Sequence, residues 1–211
     1  MNHLVTKSGF LVPASDQLGF PAIYQDSQRV GEVMAFCRSF HLAVQAGGNV
    51  GVYPLALAQR FSQVLTWEPS PENFECLRRN TMIGGRILAF NAALGDNHFP
   101  VSLELPESVN CGTYRVRPPG EVSVPVMMLD DLHLDRCDLI WLDVEGYELR
   151  ALRGAERTIA RHKPVIAVEV KDHCRRYGYS EADLCGWILA QGYTYAALVK
   201  DDRVFVPREN P

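Results

Sequence analysis

Leu42-Ala43-Val44-Gln45-Ala46-Gly47-Gly48-Asn49-Val50-Gly51 is a short apolar strand running into a glycine turn at the start of a helix. A second apolar strand, Val64-Leu65-Thr66-Trp67, ends on Glu68, 21 residues after Gly47. One βαβ step puts roughly 20 residues between a glycine loop and an acid able to grip ribose hydroxyls. The pair therefore predicts a nucleotide-type pocket in an α/β sheet. Which nucleotide turns on Asn49: a dinucleotide fingerprint needs glycine there, because the backbone must touch the pyrophosphate. A nucleoside cofactor without a pyrophosphate, such as S-adenosylmethionine, still needs the glycine floor and the ribose acid, and it tolerates the asparagine. A tight strand-to-helix turn followed by an unrelated glutamate is the plainer alternative.

Outward from this run, the 211 residues are enough for one well-buried α/β domain and few for two. One domain is expected over 1–211, with 1–40 a covering segment and 97–125 a substrate-side insertion. The formal charge of −4, without blocks of like charge, predicts no nucleic-acid or membrane partner and favours a small or neutral molecule. Six cysteines without CxxC spacing suggest neither zinc nor a disulfide framework, and reduced thiols suit a cytoplasmic location. The N-terminal residues lack a signal-peptide core, and no apolar run approaches the ~18 residues of a membrane span. The sequence says nothing about oligomeric state.

Periodicity predicts a covering helix over 27–40, with Val30, Val33, Met34, Cys37 and Phe40 on one face. It predicts further helices from Gly51 to about Phe61, from Pro71 to about Thr81 behind an N-cap at Ser70, and from Leu149 to Arg161. A last helix, capped by Ser180 and Asp183, runs to Gly192. Strands are expected at 86–91, 138–142 and 165–170, with a closing antiparallel hairpin of Thr194 to Val199 and Arg203 to Val206. Residues 97–125 are expected to be irregular, with alternating pieces such as Val101-Leu103-Leu105 and Tyr114-Val116. The alternation describes a doubly wound, mostly parallel sheet with an antiparallel edge.

In such sheets ligands bind at the carboxyl ends of the strands, near the switch point. The polar residues placed there are Gln45 to Gly48, Glu68, Asn91, Asp143, Glu145 and Glu169. Two crowded carboxylates, Asp143 and Glu145, favour a raised pKa on one of them, which suits a proton acceptor. The plainer reading is that Glu145 or Glu148 caps the next helix.

Gln45-Ala46-Gly47-Gly48-Asn49-Val50-Gly51, Trp67-Glu68-Pro69-Ser70-Pro71 with Asn80, Leu129-Asp130-Asp131-Leu132, and Leu139 to Glu148 followed by Leu152-Arg153-Gly154-Ala155 together resemble the FkbM family of methyltransferases, from about Leu42 to Val170. The resemblance implies a seven-stranded, Rossmann-like class I fold binding S-adenosylmethionine and methylating a hydroxyl, often on a sugar or natural-product alcohol. It places the cofactor at Gln45, Gly47, Gly48, Asn49, Gly51, Glu68, Asn91, Ala92 and Asp143. Two positions depart from the family pattern: Gln45 stands where an acid is common, and Trp141 where a lysine is. Gln45 still offers an acceptor for the cofactor's ammonium, without the full charge.

The candidate catalytic residues are Asp143 as base, Glu145 as the alternative base, and His173, just after the fifth strand and within reach of the same mouth. A divalent metal on Asp143, Glu145 and Glu169 is chemically conceivable, but nothing in the spacing requires it and none is assigned. Two competing classes remain: a cofactor-binding protein that has lost catalysis and acts through interactions, and a nicotinamide oxidoreductase, which Asn49 disfavours.

Overall fold

A computed structural model describes residues 4–27, 30–104, 110–117 and 123–208. Its main sheet has seven strands: β1 Leu42–Ala46, β2 Gln63–Trp67, β3 Ile87–Phe90, β4 Leu139–Leu142, β5 Val165–Glu169, β6 Tyr193–Val199 and β7 Asp202–Pro207. They lie in the order β6-β7-β5-β4-β1-β2-β3. Strands β1 to β5 pair in parallel, and β7 is antiparallel to both neighbours. The closing hairpin is thus inserted into the sheet, with β6 outermost. The chain winds from β1 through β2 to β3, then returns to β4 on the other side of β1. That reversal opens a crevice between β1 and β4.

Every residue of β1 and β4 is buried, as continuous apolar strands covered on both faces should be. On one face Val44, Leu65, Ile140 and Ile166 pack with Leu149, Leu152, Ile159, Leu184 and Ile188. On the other, Ala43, Val64, Leu139 and Ala167 pack with Val30, Val33, Met34, Leu57 and Phe61. The helices are α1 Gly19–Asp26, α2 Val30–Met34, α3 Val52–Leu57, α4 Pro71–Asn80, α5 Glu148–Arg153, α6 Glu156–His162 and α7 Glu181–Ala190; α2, α3, α5, α6 and α7 supply these side chains, apart from Phe61 in the turns after α3. Among the described residues no helix is long and apolar enough to cross a membrane.

The caps expected for α4 and α7 are present. Ser70 Oγ accepts from Asn73 N at 3.4 Å, and Ser180 and Asp183 form a reciprocal capping box. Other expectations need correction. The single helix over 27–40 shortens to α2 and a turn reaching Cys37, because Phe40 is drawn off to accept from Ser62 N; residues 28 and 29 lie outside the described residues. Helix α3 stops at Leu57 and continues to Phe61 only as turns. The alternating pieces within 97–125 pair with each other: Val101–Glu104 is the centre of a small antiparallel sheet flanked by Arg115–Arg117 and by Ser123–Val124, so the segment is less irregular than expected. Residues 105–109 and 118–122 of it lie outside the described residues. A hairpin of Leu4–Lys7 and Phe10–Pro13 was not anticipated, nor was α1. Asn80 ties that hairpin down by accepting from Leu11 N and donating to the carbonyls of Leu11 and Val50.

The helix expected from Leu149 to Arg161 is two helices, and Gly154 is the reason. A β-carbon there would sit 1.8 Å from the Gly95 carbonyl oxygen, so only glycine permits the approach. The break exposes the first N–H groups of α6, which the buried Asp130 side chain satisfies. Its Oδ2 accepts from Arg157 N at 2.8 Å, and its Oδ1 from Thr158 N at 2.8 Å and Thr158 Oγ1 at 2.7 Å. Leu129-Asp130-Asp131-Leu132 and Leu152-Arg153-Gly154-Ala155 are therefore two halves of one helix-start lock.

Asp130→Ala should lower stability by about 1–3 kcal/mol in urea unfolding, because three buried donors lose their acceptor. Asp131→Ala, on a half-exposed side chain, should stay within about 0.5 kcal/mol. Equal costs for the two would contradict the lock.

Candidate active site

The crevice between β1 and β4 opens into a pocket of about 240 Å³. Its floor is the loop after β1. Gly47 has φ +87°, and a β-carbon on it would lie 1.9 Å from the Asp143 carbonyl oxygen, so the loop and the end of β4 touch backbone to backbone. Gly47 N and Gly48 N both donate to Trp67 O, at 3.0 and 2.9 Å, which clips the same loop to the end of β2. Gln45 braces it from below. Its Oε1 accepts from Thr66 Oγ1 at 2.5 Å, and its Nε2 donates to Gly47 O at 2.9 Å and Ala46 O at 3.2 Å. An aspartate has no amide to make the last two bonds.

Glu68 is buried beside the loop. Its Oε2 accepts from Asn49 N at 2.7 Å and its Oε1 from Ser70 N at 2.8 Å. Burial pushes its carboxyl up to about 7, against the pull of those backbone donors and of Asn73. Asn91 donates to Glu68 O and Pro69 O, at 2.9 and 3.2 Å, and so secures the end of β2 from outside the pocket lining. Gly51, also behind the lining, starts α3.

At the other end the pocket meets three carboxylates. Asp143 follows β4 directly, and its side chain is open to the pocket though ringed by protein. Glu145 sits two residues on in a left-handed turn, φ +55°, and is 8% exposed. The strand has already ended, so the turn, and not strand alternation, aims Glu145. Glu169 closes β5. Carboxylate oxygens of the three lie within 4.8 Å of one another. Burial first, then Glu169, Asp202 and Glu145, push the Asp143 carboxyl well above the usual carboxylate range, with Lys171 opposing. Burial and Glu169 push Glu145 up as well, while His173, Lys171 and Arg115 pull it down. The crowding expected from sequence is real. Lys171 Nζ donates to Glu169 Oε1, so the cluster already holds a cation of its own, and no metal is assigned to it.

His173 lies outside the pocket lining, with its Nδ1 2.8 Å from Glu145 Oε2. Gly146 brings the two together by packing directly on the His173 backbone. Neither Glu145 nor Glu148 caps α5, whose N-terminus has no side-chain cap; Glu148 Oε1 accepts instead from Val144 N at 3.2 Å and Gly146 N at 3.1 Å, sealing the turn that carries Glu145. Trp141 presents its indole N–H to Asp202 Oδ1 at 3.1 Å and packs edge-on against Tyr53.

Of the residues singled out from sequence, Gln45, Gly47, Gly48, Asn49, Glu68, Ala92, Asp143, Glu145 and Glu169 line one pocket. Tyr114 joins them from the insertion. Arg115 stays out of the lining, and Arg117 pairs with Glu104 at 2.7 Å. Sequence reasoning missed Gly19, Ala22 and Ile23 of α1, which roof the pocket, and Lys171. Asp16 carried the missed signal for α1, since its carboxylate accepts from Gly19 N and Phe20 N at 3.0 and 2.8 Å, as an N-terminal capping acid does.

Residues 45–195 match the family model described as the methyltransferase FkbM domain. Hexuronic acid methyltransferase AglP of Haloferax volcanii is 25% identical, over 51% of this chain and 47% of its own. Methyltransferase 1 of Beauveria bassiana is 27% identical, over 54% and 57%. The chain thus spans about half the length of these curated relatives. Among solved structures, methyltransferase FkbM from Methylobacillus flagellatus KT superposes with a TM-score of 0.54 at 20% identity, over 89% of this chain and 58% of that one. Magnesium protoporphyrin IX methyltransferase of Synechocystis PCC 6803, a structure with bound S-adenosylmethionine, gives 0.52 at 14% identity, over 90% and 81%. These superpositions establish the class I methyltransferase fold.

Glu148 makes the turn's stability depend on pH. Burial raises its carboxyl from 4.5 to about 7, so the folded state binds this proton more tightly than the unfolded one. Its contribution is fully present below pH 4.5 and is lost as pH rises through 7. Glu148→Gln keeps the accepting oxygen and removes the titration. Its unfolding free energy should fall less steeply from pH 4.5 to 7 than the wild type's, by up to about 1.4 kcal/mol per pH unit. Parallel profiles would contradict the assignment.

Proposed function

The chain belongs to the FkbM family of methyltransferases, and from that premise we propose that it transfers a methyl group from S-adenosylmethionine to a hydroxyl of a sugar or other small glycan-like acceptor. One observation carries the reading: the glycine loop with its ribose-type acid and the carboxylate cluster face each other across a single pocket. The residues present fit the cofactor. Gly47 and Gly48 leave a floor without β-carbons, and the Glu68 carboxylate, with Asn49 N, Ser70 N and Asn73 as donors, keeps acceptor capacity for a ribose hydroxyl. Gln45, engaged with the loop, holds the floor in shape. When bound, the cofactor supplies an electrophilic methyl carbon, whose bonding pair leaves to sulfur.

The protein's work is alignment and proton removal. Asp143 stands at the junction of the two ends of the pocket and takes the acceptor's hydroxyl proton as its oxygen bonds to carbon. Its pKa, raised above the usual carboxylate range, makes it a stronger base than an ordinary carboxylate. Glu145, held by His173, supports the charge balance around it. A sugar acceptor is supported by the hexuronic acid named for the Haloferax relative and by the polar, carboxylate-rich end of the pocket, whose oxygens accept from hydroxyls.

S-adenosylhomocysteine should bind in calorimetry, and Glu68→Ala should weaken it at least about tenfold through the lost ribose acceptor. No binding at millimolar ligand overturns the proposal. Labelled methyl should pass to a hydroxylated acceptor, and Asp143→Asn should slow transfer by about 10²–10⁴-fold at saturating cofactor. Binding without turnover across a panel of glycosides would favour the interaction-protein reading.

A further inference from the structure

We propose that Lys171 is a positioning residue for methyl transfer, an internal counter-cation that keeps the Asp143–Glu145–Glu169 cluster able to accept a proton. The inference rests on the reading that a carboxylate of this cluster takes the acceptor's proton. Lys171 lies two residues beyond the end of β5 and lines the pocket. Its Nζ is hydrogen-bonded to Glu169 Oε1, while its side chain stays 42% exposed.

Three carboxylates within 4.8 Å of one another cannot all ionise without a cation, because like charges at that range disfavour the charged forms. The charged groups around the cluster come from four directions. Asp202, Asp201 and Lys200 face it from the β6–β7 hairpin, His173 from the segment after β5, Arg115 from the small sheet, and Glu148 from α5. The other cations are committed elsewhere or reach only part of the cluster. Lys200 Nζ lies 3.7 Å from Asp201, and His173 and Arg115 bear on Glu145. Lys171 alone, among the described residues, bears on all three: it contacts Glu169 and pulls down both Asp143 and Glu145. The same three acids hold its own ammonium charged in spite of partial burial.

The charge is placed where a positioning role needs it. Lys171 has no atom to take the acceptor's proton, since its ammonium is already fully protonated. It acts through the carboxylates. Removing it should leave the fold intact, because the side chain is half-exposed and packs on no core cluster.

The test needs no acceptor, so it stays readable if the search for one fails. Carboxyl groups of ¹³C-labelled Asp and Glu are titrated by NMR in the wild type, Lys171→Met and Lys171→Arg. Asp143→Asn, Glu145→Gln and Glu169→Gln supply the assignments. In Lys171→Met the cluster's titrations should move up by about 1–3 pH units, the range expected for loss of a neighbouring cation. Lys171→Arg should return them most of the way. Where an acceptor is in hand, the acid limb of the pH–rate profile should move up by the same amount in Lys171→Met. A merely structural lysine would lower thermal stability and leave these titrations in place. Wild-type titrations in Lys171→Met, or a shift as large in Lys171→Arg, overturn the proposal.

Discussion

The contact on which the rest of the structure depends is backbone against backbone: Gly47 lies where a β-carbon would be 1.9 Å from the Asp143 carbonyl. Asp143 N in turn donates to Ala46 O at 3.1 Å, so the end of β4 and the start of the glycine loop are fixed by adjacent peptide groups. Through the bonds of Gly47 N and Gly48 N to Trp67 O, the same loop is fixed to β2 and hence to Glu68. Three strand ends are thereby locked to one another by main-chain groups alone. The distance between the two ends of the pocket is set by sheet geometry, and side-chain packing only tunes it. Side-chain substitution can then alter what the pocket binds while leaving the separation intact.

The buried acids divide by what donates to them. Glu68, Glu148 and Asp130 each take two backbone N–H groups, which belong to turns or a helix start. Such carboxylates satisfy peptide groups that water cannot reach, and removing them leaves those groups without a partner. Among the described residues no backbone N–H donates to the side chain of Asp143 or Glu145. Lys171 bears on both through its charge, and His173 Nδ1 lies 2.8 Å from Glu145 Oε2. Carboxylates left without peptide donors at a pocket, Asp143 open to it and Glu145 buried beside it, are placed for chemistry. Glu145 and Glu148, three residues apart in one motif, fall on opposite sides of this division.

The positions of the parallel strands along the chain were legible because each is a mostly apolar run ending in a polar residue at the same edge; their order in the sheet was not. The glycine loop, Glu68 and the acidic pair after β4 were legible for the same reason. The break at Gly154 was not, since Leu149, Leu152, Ala155 and Ile159 keep helical spacing across it. What interrupts the helix is Gly95, 59 residues earlier in the chain. Periodicity is local, and this contact is not. The role of Gln45 was hidden similarly: its partners Thr66 and Gly47 come together only when β1 and β2 pair. Helix α1 was missed because its pattern is weak, although Asp16 before Gly19 is an ordinary helix start. Lys171 could be read as a strand-end residue, but nothing in sequence says that its ammonium turns back onto Glu169.

With the sulfonium donor proposed above, the balance of charge in this pocket has a direct kinetic meaning. Transfer to a hydroxyl starts from a cation and ends with a neutral thioether, so positive charge is dispersed on the way to the transition state. A pocket with several ionised carboxylates would stabilise the bound sulfonium more than the transition state, and would raise the barrier while tightening binding. The base, however, must be ionised to take the proton. Both demands are met only if the cluster carries little net charge and still keeps one carboxylate able to accept. Burial, which pushes Asp143 and Glu145 toward their neutral forms, and Lys171, which offsets Glu169, act in that common direction. Asp202 is part of the same balance: burial raises it to about 7, and its bond from Trp141 holds it in place behind Asp143. In this chain Trp141 thus orients a second titratable acid without adding a charge of its own, and the cation that touches the cluster is Lys171, beyond the end of the neighbouring β5.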